Sequence, residues 1–320
     1  MNEFNLYDLI IIGGGPAGIT AGIYAGRQKL KSLLICKEFG GQVAKKAIDI
    51  ENYPGFEKIS GIELIQKFKN HLQRFDIEIQ QDEVTKIQKE ESIFSVHTKT
   101  GKIFKSLAVI IASGADPRPL EVAGEKEFLG KGVSYCAVCD GYFFKDKTVA
   151  VVGGGNAGFE TAIFLSKIAK KIYILEYGET VKADPTNQEI VKKSGKAEII
   201  TNAQVKKIVG DDVVKSIIYL DRKTQKEKEL QVDGVFIQIG NQPATSFAKG
   251  LVDFNERDEI VVEFETCQTK TEGLFAAGDC NIGPFKQIIT ACGEGAKSSL
   301  AAFQYIQKLK SHQFNENRSR

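Results

Sequence analysis

The sequence lacks an excess of charge, a long apolar run and a recognisable leader. Its 43 Lys and Arg nearly balance its 41 Asp and Glu, for a formal net charge of +2. A balance so near neutral does not favour general binding to nucleic acid or to anionic membranes. Apolar runs such as Leu9–Ile12 are strand-sized, and the first residues, MNEFNLYD, have neither the basic nor the apolar region of a signal peptide. We therefore expect a cytoplasmic protein with no nucleic-acid or membrane partner.

Closely spaced metal ligands are also scarce. The chain has 6 Cys and 3 His, and among these only Cys136 and Cys139, in the stretch CAVCD, are closely spaced, with two residues between them. Zinc would need two more ligands, and the other cysteines and the histidines occur singly, so we expect no metal site. Because permanent disulfides are rare in a reducing compartment, a redox couple is favoured over a structural bridge.

An internal repeat is the strongest feature that is present. The segments LIIIGGGPAGITAGIYA (Leu9–Ala25) and VAVVGGGNAGFETAIFL (Val149–Leu165) run in parallel. Each is a β-branched apolar run, then glycines, then a stretch with helical apolar spacing. A chain of 320 residues also exceeds what one core usually supports. We predict two domains built on one nucleotide-binding plan.

Both repeats carry the dinucleotide fingerprint, in which a strand, a GxGxxG turn and a helix are followed by an acid about 20 residues later. The first glycine makes the turn, the second admits the pyrophosphate, and the third lets helix and strand pack closely. The acid accepts hydrogen bonds from the ribose. Glycine turns without a ligand are the alternative. The two sets are Gly13, Gly15, Gly18 with Glu38, and Gly153, Gly155, Gly158 with Glu176.

The order of motifs resembles the low-molecular-weight thioredoxin reductases, which are class II pyridine nucleotide-disulfide oxidoreductases. The resemblance rests on GGGPAG, FGGQ, IENYPG, CAVCDG, GGGNAG, GLFAAGDC and KQIITACGEGAKSS. It implies an α/β fold of two Rossmann-like, three-layer ββα domains, the second inserted in the first. Residues 1–116 and 246–320 would form the FAD domain, and residues 117–245 the NAD(P)H domain with the CxxC pair. It also implies a homodimer.

The resemblance further implies an electron route from NAD(P)H through FAD to the CxxC disulfide, and from there to a small protein such as thioredoxin. Cys139 would lie next to the flavin and Cys136 would attack the partner disulfide. Asp140 would exchange a proton with a thiol, or else would be an ordinary turn residue ahead of Gly141.

The cofactor contacts carried over from the family fall into two groups. FAD would be held by Gly13, Gly15, Pro16, Ala17, Gly18, Glu38, Gly41, Gln42, Asn52, Gly114, Asp279, Gln287 and Ile288. NAD(P)H would be held by Gly153, Gly155, Asn156, Ala157, Gly158 and Glu176.

One departure from the family concerns the choice of nucleotide. NADPH-dependent members carry HRR where this chain has Glu176, Tyr177 and Gly178, and the later Arg is Lys182. A 2′-phosphate beside the Glu176 carboxylate would be repelled, whereas a 2′-hydroxyl would donate a hydrogen bond to it. We therefore predict that NADH is preferred over NADPH.

The segment LEYGETVKAD is most similar to the NADH-dependent reductase core of alkyl hydroperoxide reductase flavoproteins. Those proteins carry a thioredoxin-like region ahead of the flavin domain, and here the flavin strand begins at about residue 7. We therefore expect the acceptor to be a separate protein: a thioredoxin, a glutaredoxin-like protein, or a free-standing homologue of that missing region. The alternatives are an NADH oxidase, an electron donor to a peroxiredoxin system, and a non-catalytic redox-sensing flavoprotein.

Overall fold

The chain folds into two compact units. The computed structural model describes residues 6–46 and 50–319. The first unit contains the chain up to Asp116 and again from Gln242 onwards, and the second is Pro117–Asn241. The second crossing lies a few residues before the predicted 245/246 boundary, because a short strand, Asn241–Pro243, carries the chain across.

The first segment begins with the buried strand that the sequence predicts. Apolar β-branched residues line both faces of its core, as in a parallel strand covered on both sides. The elements are β1 (Leu6–Gly14), α1 (Pro16–Arg27), β2 (Ser32–Phe39), α2 (Gly41–Lys46), α3 (Gly61–Leu72), β3 (Glu78–Gln81), β4 (Val84–Glu90), β5 (Ile93–Thr98), β6 (Ile103–Ile111) and β7 (Ala115–Pro117).

The second unit repeats the strand-turn-helix start. Its elements are β8 (Val133–Ser134), α4 (Ala137–Asp140), a 3₁₀ helix (Gly141–Phe144), β9 (Thr148–Val152), α5 (Asn156–Ser166), β10 (Lys171–Leu175), α6 (Pro185–Lys193), β11 (Ala197–Ile200), β12 (Ala203–Gly210), β13 (Val214–Asp221), β14 (Lys226–Gln231) and β15 (Gly234–Ile237). The chain returns to the first unit through β16 (Asn241–Pro243), a 3₁₀ helix (Ser246–Ala248), β17 (Leu274–Ala276) and α7 (Ile288–Ser319).

The sheet of the first unit is mixed. Its order is β3-β2-β1-β6-β5-β4, with β17 also paired to β6. The pairs around β1 are parallel, whereas β4, β5 and β6 form an antiparallel meander. β7 and β16, the two strands at the crossings, pair with each other.

The second unit has three layers. Its central sheet is parallel, in the order β11-β10-β9-β15-β8, and a separate antiparallel sheet has the order β12-β13-β14. Val149 and Val151 of β9 pack with Phe159 of α5, while Ala150 and Val152 belong to the cluster that includes the antiparallel sheet. This alternation is the period of two of a strand covered on both faces. The predicted α/β class is confirmed. No helix in the described part of the chain is long and apolar enough to cross a bilayer.

Candidate active site

The first glycine turn joins β1 to α1. Gly13 has a φ of +122°, which residues with a side chain rarely adopt. A Cβ on Gly18 would collide with the carbonyl oxygen of Gly13, so only glycine lets the helix start so close to the strand. Gly15 is the N-cap, Pro16 and Ala17 open the helix, and no side chain caps it. The first backbone N–H groups and the positive end of the helix dipole therefore suit an anionic group.

The second glycine turn, between β9 and α5, has the same construction. Gly153 has a φ of +119°, and a Cβ on Gly158 would collide with the Gly153 carbonyl oxygen. Gly155 is the N-cap, and α5 then begins with Asn156 and Ala157, again with no side-chain cap. A Cβ on Gly155 would meet no heavy atom within 4 Å, which leaves the approach to the helix start open. The two sequence repeats therefore form glycine turns with the same backbone geometry.

All the predicted flavin contacts lie in the first unit. The Asn52 side-chain amide donates to Gln287 Oε1 at 3.2 Å, which joins residues 235 positions apart. Gln42 Nε2 donates to the Ala115 carbonyl oxygen. Among the other predicted contacts, Gly41 and Gly114 have positive φ, and Ile288 begins α7. The side chain of Glu38, near the end of β2, is exposed, and that of Asp279 is half-buried.

Two residues to which the sequence analysis gave no role support this region. Glu294 Oε2, on α7, accepts the Gly278 N–H at 2.7 Å and the Asn281 side-chain amide at 2.9 Å, and so fixes the loop that carries Asp279. Ser113 Oγ, next to the first turn, is buried without a hydrogen-bond partner. An uncapped helix start and an unsatisfied buried hydroxyl fit a flavin dinucleotide, which would offer both anionic and hydroxyl groups.

The two cysteines of CAVCD form a disulfide. Cys136 is the N-cap of α4, and its sulfur accepts the Cys139 backbone N–H at 3.2 Å. The Cys136 N–H donates to Ser134 Oγ at 2.9 Å, which fixes the entry to the helix. Cys136 is half-buried and Cys139 is exposed. The pair is therefore a solvent-accessible disulfide on a short, anchored helix.

The residues after the disulfide combine an acid with exposed aromatic rings. Asp140 is half-buried, and its side chain does not cap the 3₁₀ helix that follows. Gly141 is packed against Phe164 of α5 so closely that a Cβ would lie 2.8 Å from the ring. Tyr142 and Phe143 are 71% and 74% exposed. An apolar surface thus lies directly beside the disulfide.

The acid of the second fingerprint is held rigidly. Glu176 follows β10, and its Oε2 accepts the Gly154 N–H while its Oε1 accepts the Gly178 N–H, each at 2.7 Å. Two backbone donors therefore fix the position of the carboxylate. A cation that no sequence motif indicated, Arg222, lies over the ring of Tyr177, and its role is considered below.

The loop after Glu176 is tied to the glycine turn. The Asn156 side-chain amide donates to Asp184 Oδ2 at 2.9 Å, and the Asp184 N–H donates to Asn156 Oδ1 at 2.6 Å. The Lys182 N–H also donates to the Gly154 carbonyl oxygen at 2.8 Å. Burial, and next the Asp184 carboxylate, raise the pKa of Glu160 on α5. The second nucleotide-type turn is therefore closed on one side by a fixed loop.

The remaining cysteines are buried and unreactive in character. Burial raises the pKa of Cys36 and of Cys267 to about 11 and that of Cys280 to about 12, and Cys292 is buried as well. They behave as small apolar side chains, as is common for cysteines that occur singly in a sequence. Within residues 6–46 and 50–319, no group of three or more His, Cys, Asp or Glu could hold a metal ion.

Comparisons with known proteins identify the family of the chain. Over residues 7–295 the chain matches the family described as pyridine nucleotide-disulphide oxidoreductase. It is 39% identical over 300 residues to a protein of Bacillus subtilis named NADH dehydrogenase, with 94% of this chain and 58% of that protein covered. It is also 39% identical over 315 residues to an alkyl hydroperoxide reductase subunit of Escherichia coli, with 97% of this chain and 60% of that protein covered. The chain thus spans about three fifths of the length of these curated relatives.

Solved structures of thioredoxin reductases are similar over nearly the whole chain. The enzyme of Lactococcus lactis gives a TM-score of 0.88 at 36% identity, covering 94% of this chain and 99% of that one. The enzyme of T. acidophilum gives a TM-score of 0.84 at 38% identity, covering 95% and 99%. These comparisons confirm the predicted resemblance and the two Rossmann-like domains, and the kinship implies FAD and a pyridine nucleotide as cofactors. The chain belongs to the pyridine nucleotide-disulphide oxidoreductase family and is an oxidoreductase with the fold of a thioredoxin reductase.

Proposed function

We propose that the protein is an FAD-dependent disulfide reductase that takes electrons from NADH and passes them through Cys136 and Cys139 to the disulfide of a small thioredoxin-type protein. The observation that carries the proposal is the accessible Cys136–Cys139 disulfide, in the same unit as a complete nucleotide-type turn. FAD, when bound in the first unit, would accept a hydride from the nicotinamide and release its two electrons as a pair.

The chain's own chemistry would begin once the disulfide is reduced to two thiols. The Cys136 thiolate attacks one sulfur of the partner disulfide, forms a mixed disulfide and releases the partner's second sulfur as a thiolate. The Cys139 thiolate then attacks the Cys136 sulfur, which restores the internal disulfide and frees the partner's first sulfur. Two electrons and two protons reach the partner in each cycle. Asp140, the acid that directly follows Cys139, is proposed to carry one of these protons.

The structure supports Cys136 as the attacking sulfur. Its sulfur already accepts the Cys139 N–H at 3.2 Å. In the dithiol state the same donor would stabilise a thiolate on Cys136. Cys139 would then be the sulfur that resolves the mixed disulfide and faces the flavin, as the family resemblance implies.

The exposed rings of Tyr142 and Phe143 favour a protein acceptor over a small-molecule disulfide. Apolar side chains more than two-thirds exposed, immediately beyond a redox centre, suit a macromolecular partner that buries them on docking. Names among the relatives suggest a second acceptor, since the Escherichia coli protein is by name a component of an alkyl hydroperoxide reductase. A peroxiredoxin system is therefore the alternative destination for the electrons.

The choice of NADH rests on Glu176. Because two backbone N–H groups fix its carboxylate, the side chain cannot turn away from an incoming 2′-phosphate without losing both hydrogen bonds. A 2′-hydroxyl can donate to the same oxygens. We expect a higher kcat/KM with NADH than with NADPH, and the reverse order would defeat this assignment.

The decisive experiment is an anaerobic titration with NADH, followed by addition of oxidised thioredoxin. Alkylation of free thiols then measures how much of the thioredoxin has been reduced. The Cys136→Ser variant should still undergo flavin bleaching but should leave thioredoxin oxidised, while Cys292→Ala, a buried cysteine, should behave as the parent. Thioredoxin reduction by Cys136→Ser would contradict the proposed route. Oxygen consumption that survives in this variant, with no disulfide reduction by the parent, would identify an NADH oxidase instead.

We also propose that the protein is a homodimer. The family resemblance implies this assembly, and the first unit exposes two rings, Phe264 and Phe285, at 79% and 72%, which an interface could cover. Sedimentation equilibrium of the flavin-loaded protein at micromolar concentration tests this, and a strictly monomeric mass would refute it.

A further inference from the structure

Arg222 lies where the nucleotide-reading segment leaves the central sheet of the second unit. Its guanidinium carbon is 4.0 Å from the centre of the Tyr177 ring, and Nη1 donates to the Tyr177 carbonyl oxygen at 2.9 Å. Its backbone N–H donates to the Asn202 carbonyl oxygen at 2.9 Å, and the Asn202 N–H donates to the Gly178 carbonyl oxygen at 2.8 Å. These contacts hold the arginine beside residues 177 and 178.

This placement brings a cation near a fixed anion. Tyr177 directly follows Glu176, and consecutive Cα atoms are about 3.8 Å apart. Nη1 of Arg222 binds the carbonyl oxygen of the residue that directly follows Glu176, so the charge of Arg222 acts on the segment that carries the Glu176 carboxylate. Arg222 is exposed, and the Tyr177 carbonyl takes one of the five N–H donors of its guanidinium.

We propose that Arg222 is a specificity-determining residue that makes the site tolerate a 2′-phosphate, in opposition to Glu176. This inference rests on the nucleotide site of the proposed function. The positions that carry HRR in NADPH-dependent members are filled here by an acid, an aromatic ring and a glycine, and Arg222 brings a guanidinium to the same place from the turn between β13 and β14. A planar fork of donors matches a phosphate and has no comparable partner on a free 2′-hydroxyl. The preference for NADH then reflects the net effect of two opposed charges on binding of the 2′-phosphate: Glu176 repels it and Arg222 attracts it. NADPH is therefore a poorer but usable substrate.

Direct binding of adenosine fragments tests this without relying on turnover. AMP and 2′,5′-ADP are titrated calorimetrically into the FAD-loaded parent and into Arg222→Ala. One lost hydrogen bond to a charged group corresponds to about a tenfold change in affinity. We expect the Kd of 2′,5′-ADP to rise about tenfold and that of AMP to change less than about twofold.

Lys228→Ala is the matched control. It removes the same charge from the same hairpin, but Lys228 is paired with Asp221 at 2.7 Å, so neither Kd should change. Arg222→Lys, which keeps the charge without the fork, should fall between Arg222→Ala and the parent. Equal weakening of AMP and 2′,5′-ADP by Arg222→Ala would overturn the proposal, because it would indicate packing alone. An equal effect of Lys228→Ala would also overturn it, because it would indicate a general field.

The experiment separates this inference from the proposed function. If the parent prefers NADPH in kcat/KM, the assignment of NADH fails, yet a selective loss of 2′,5′-ADP binding in Arg222→Ala still supports the role of Arg222. If NADH is preferred and Arg222→Ala leaves 2′,5′-ADP binding unchanged, the role of Arg222 fails alone. If neither fragment binds the parent, both fail together.

Discussion

Replacing Glu294 with alanine should loosen the loop that carries Asp279, a residue that we propose contacts the flavin. Oε2 of Glu294 accepts hydrogen bonds from the Gly278 N–H and the Asn281 side chain. Asn281 is 1% exposed, and its amide also donates to the Ala276 carbonyl oxygen at 3.0 Å. Without the Glu294 carboxylate, these two donors lose their acceptor on α7.

The size of the effect follows from these two bonds. A hydrogen bond to a charged acceptor contributes about 1.5–3 kcal/mol, so losing both should cost about 3 kcal/mol or more. If binding of FAD must then reorder the loop, the Kd of FAD should rise about 100-fold, since about 1.4 kcal/mol corresponds to a factor of ten. Equilibrium dialysis with flavin fluorescence measures the Kd, and urea unfolding measures the free energy.

Glu294→Gln is the matched control, because both hydrogen bonds end on the same oxygen and an amide oxygen can accept both. It loses only the charge assistance, so its Kd for FAD should stay within about tenfold of the parent. The reasoning is wrong if Glu294→Gln is as damaging as Glu294→Ala, or if Glu294→Ala retains FAD as tightly as the parent.

Three further predictions follow from single sites. Gly158→Ala should destabilise the second unit by about 3 kcal/mol, because its Cβ would collide with a carbonyl oxygen. Gly155→Ala has open space around its Cβ and a φ of −88°, so it should unfold like the parent but bind NADH at least about tenfold more weakly. Equal stability of the two variants would contradict this. Phe143→Ser should raise the KM for the protein acceptor about tenfold without slowing flavin reduction by NADH, and a slower flavin step would show that the ring does not serve docking. Burial raises the pKa of Cys280 to about 12, so the folded chain holds this proton more tightly than the unfolded chain does. The corresponding stability is complete below about pH 9 and is lost as the pH rises towards 12. Brief alkylation at about pH 8 after reduction should therefore label only Cys136 and Cys139, and mass spectrometry counts the labels. Labelling of three or more cysteines would refute the protection by burial.

Local features of the sequence predicted the glycine turns because their causes are local. A positive φ at Gly13 and the close approach at Gly18 both arise within one strand-turn-helix segment. The hydrophobic periods of two and about four on either side of the glycines mark the strand and the helix. The Cys136–Cys139 disulfide was predictable for the same reason, since its two residues lie in one turn of chain.

Contacts between distant segments were not predictable in this way. Asn52 and Gln287 were each expected to face the flavin, but nothing in either segment indicated that they bond each other. Glu294 lies in a helix where an acid is ordinary, and Arg222 lies in a strongly charged hairpin that is typical of a solvated turn. Both acquire their roles from pairings between elements far apart in the sequence, and hydrophobic patterns do not encode such pairings for polar side chains.

The opposed charges of the second unit also explain why a sequence motif alone is a weak guide to nucleotide choice. The segment after β10 lacks the cations of the HRR motif. The β13–β14 hairpin packs against that segment, however, and its Arg222 provides a cation at the Tyr177 ring. In the proposed site the nucleotide would meet the sum of the charges from these two elements, and a motif reports only one of them. Glu176 is held by two backbone donors, whereas Arg222 is held by a ring and a carbonyl oxygen on an exposed surface. The better-fixed carboxylate should therefore dominate the selectivity, and the arginine should set how far it extends.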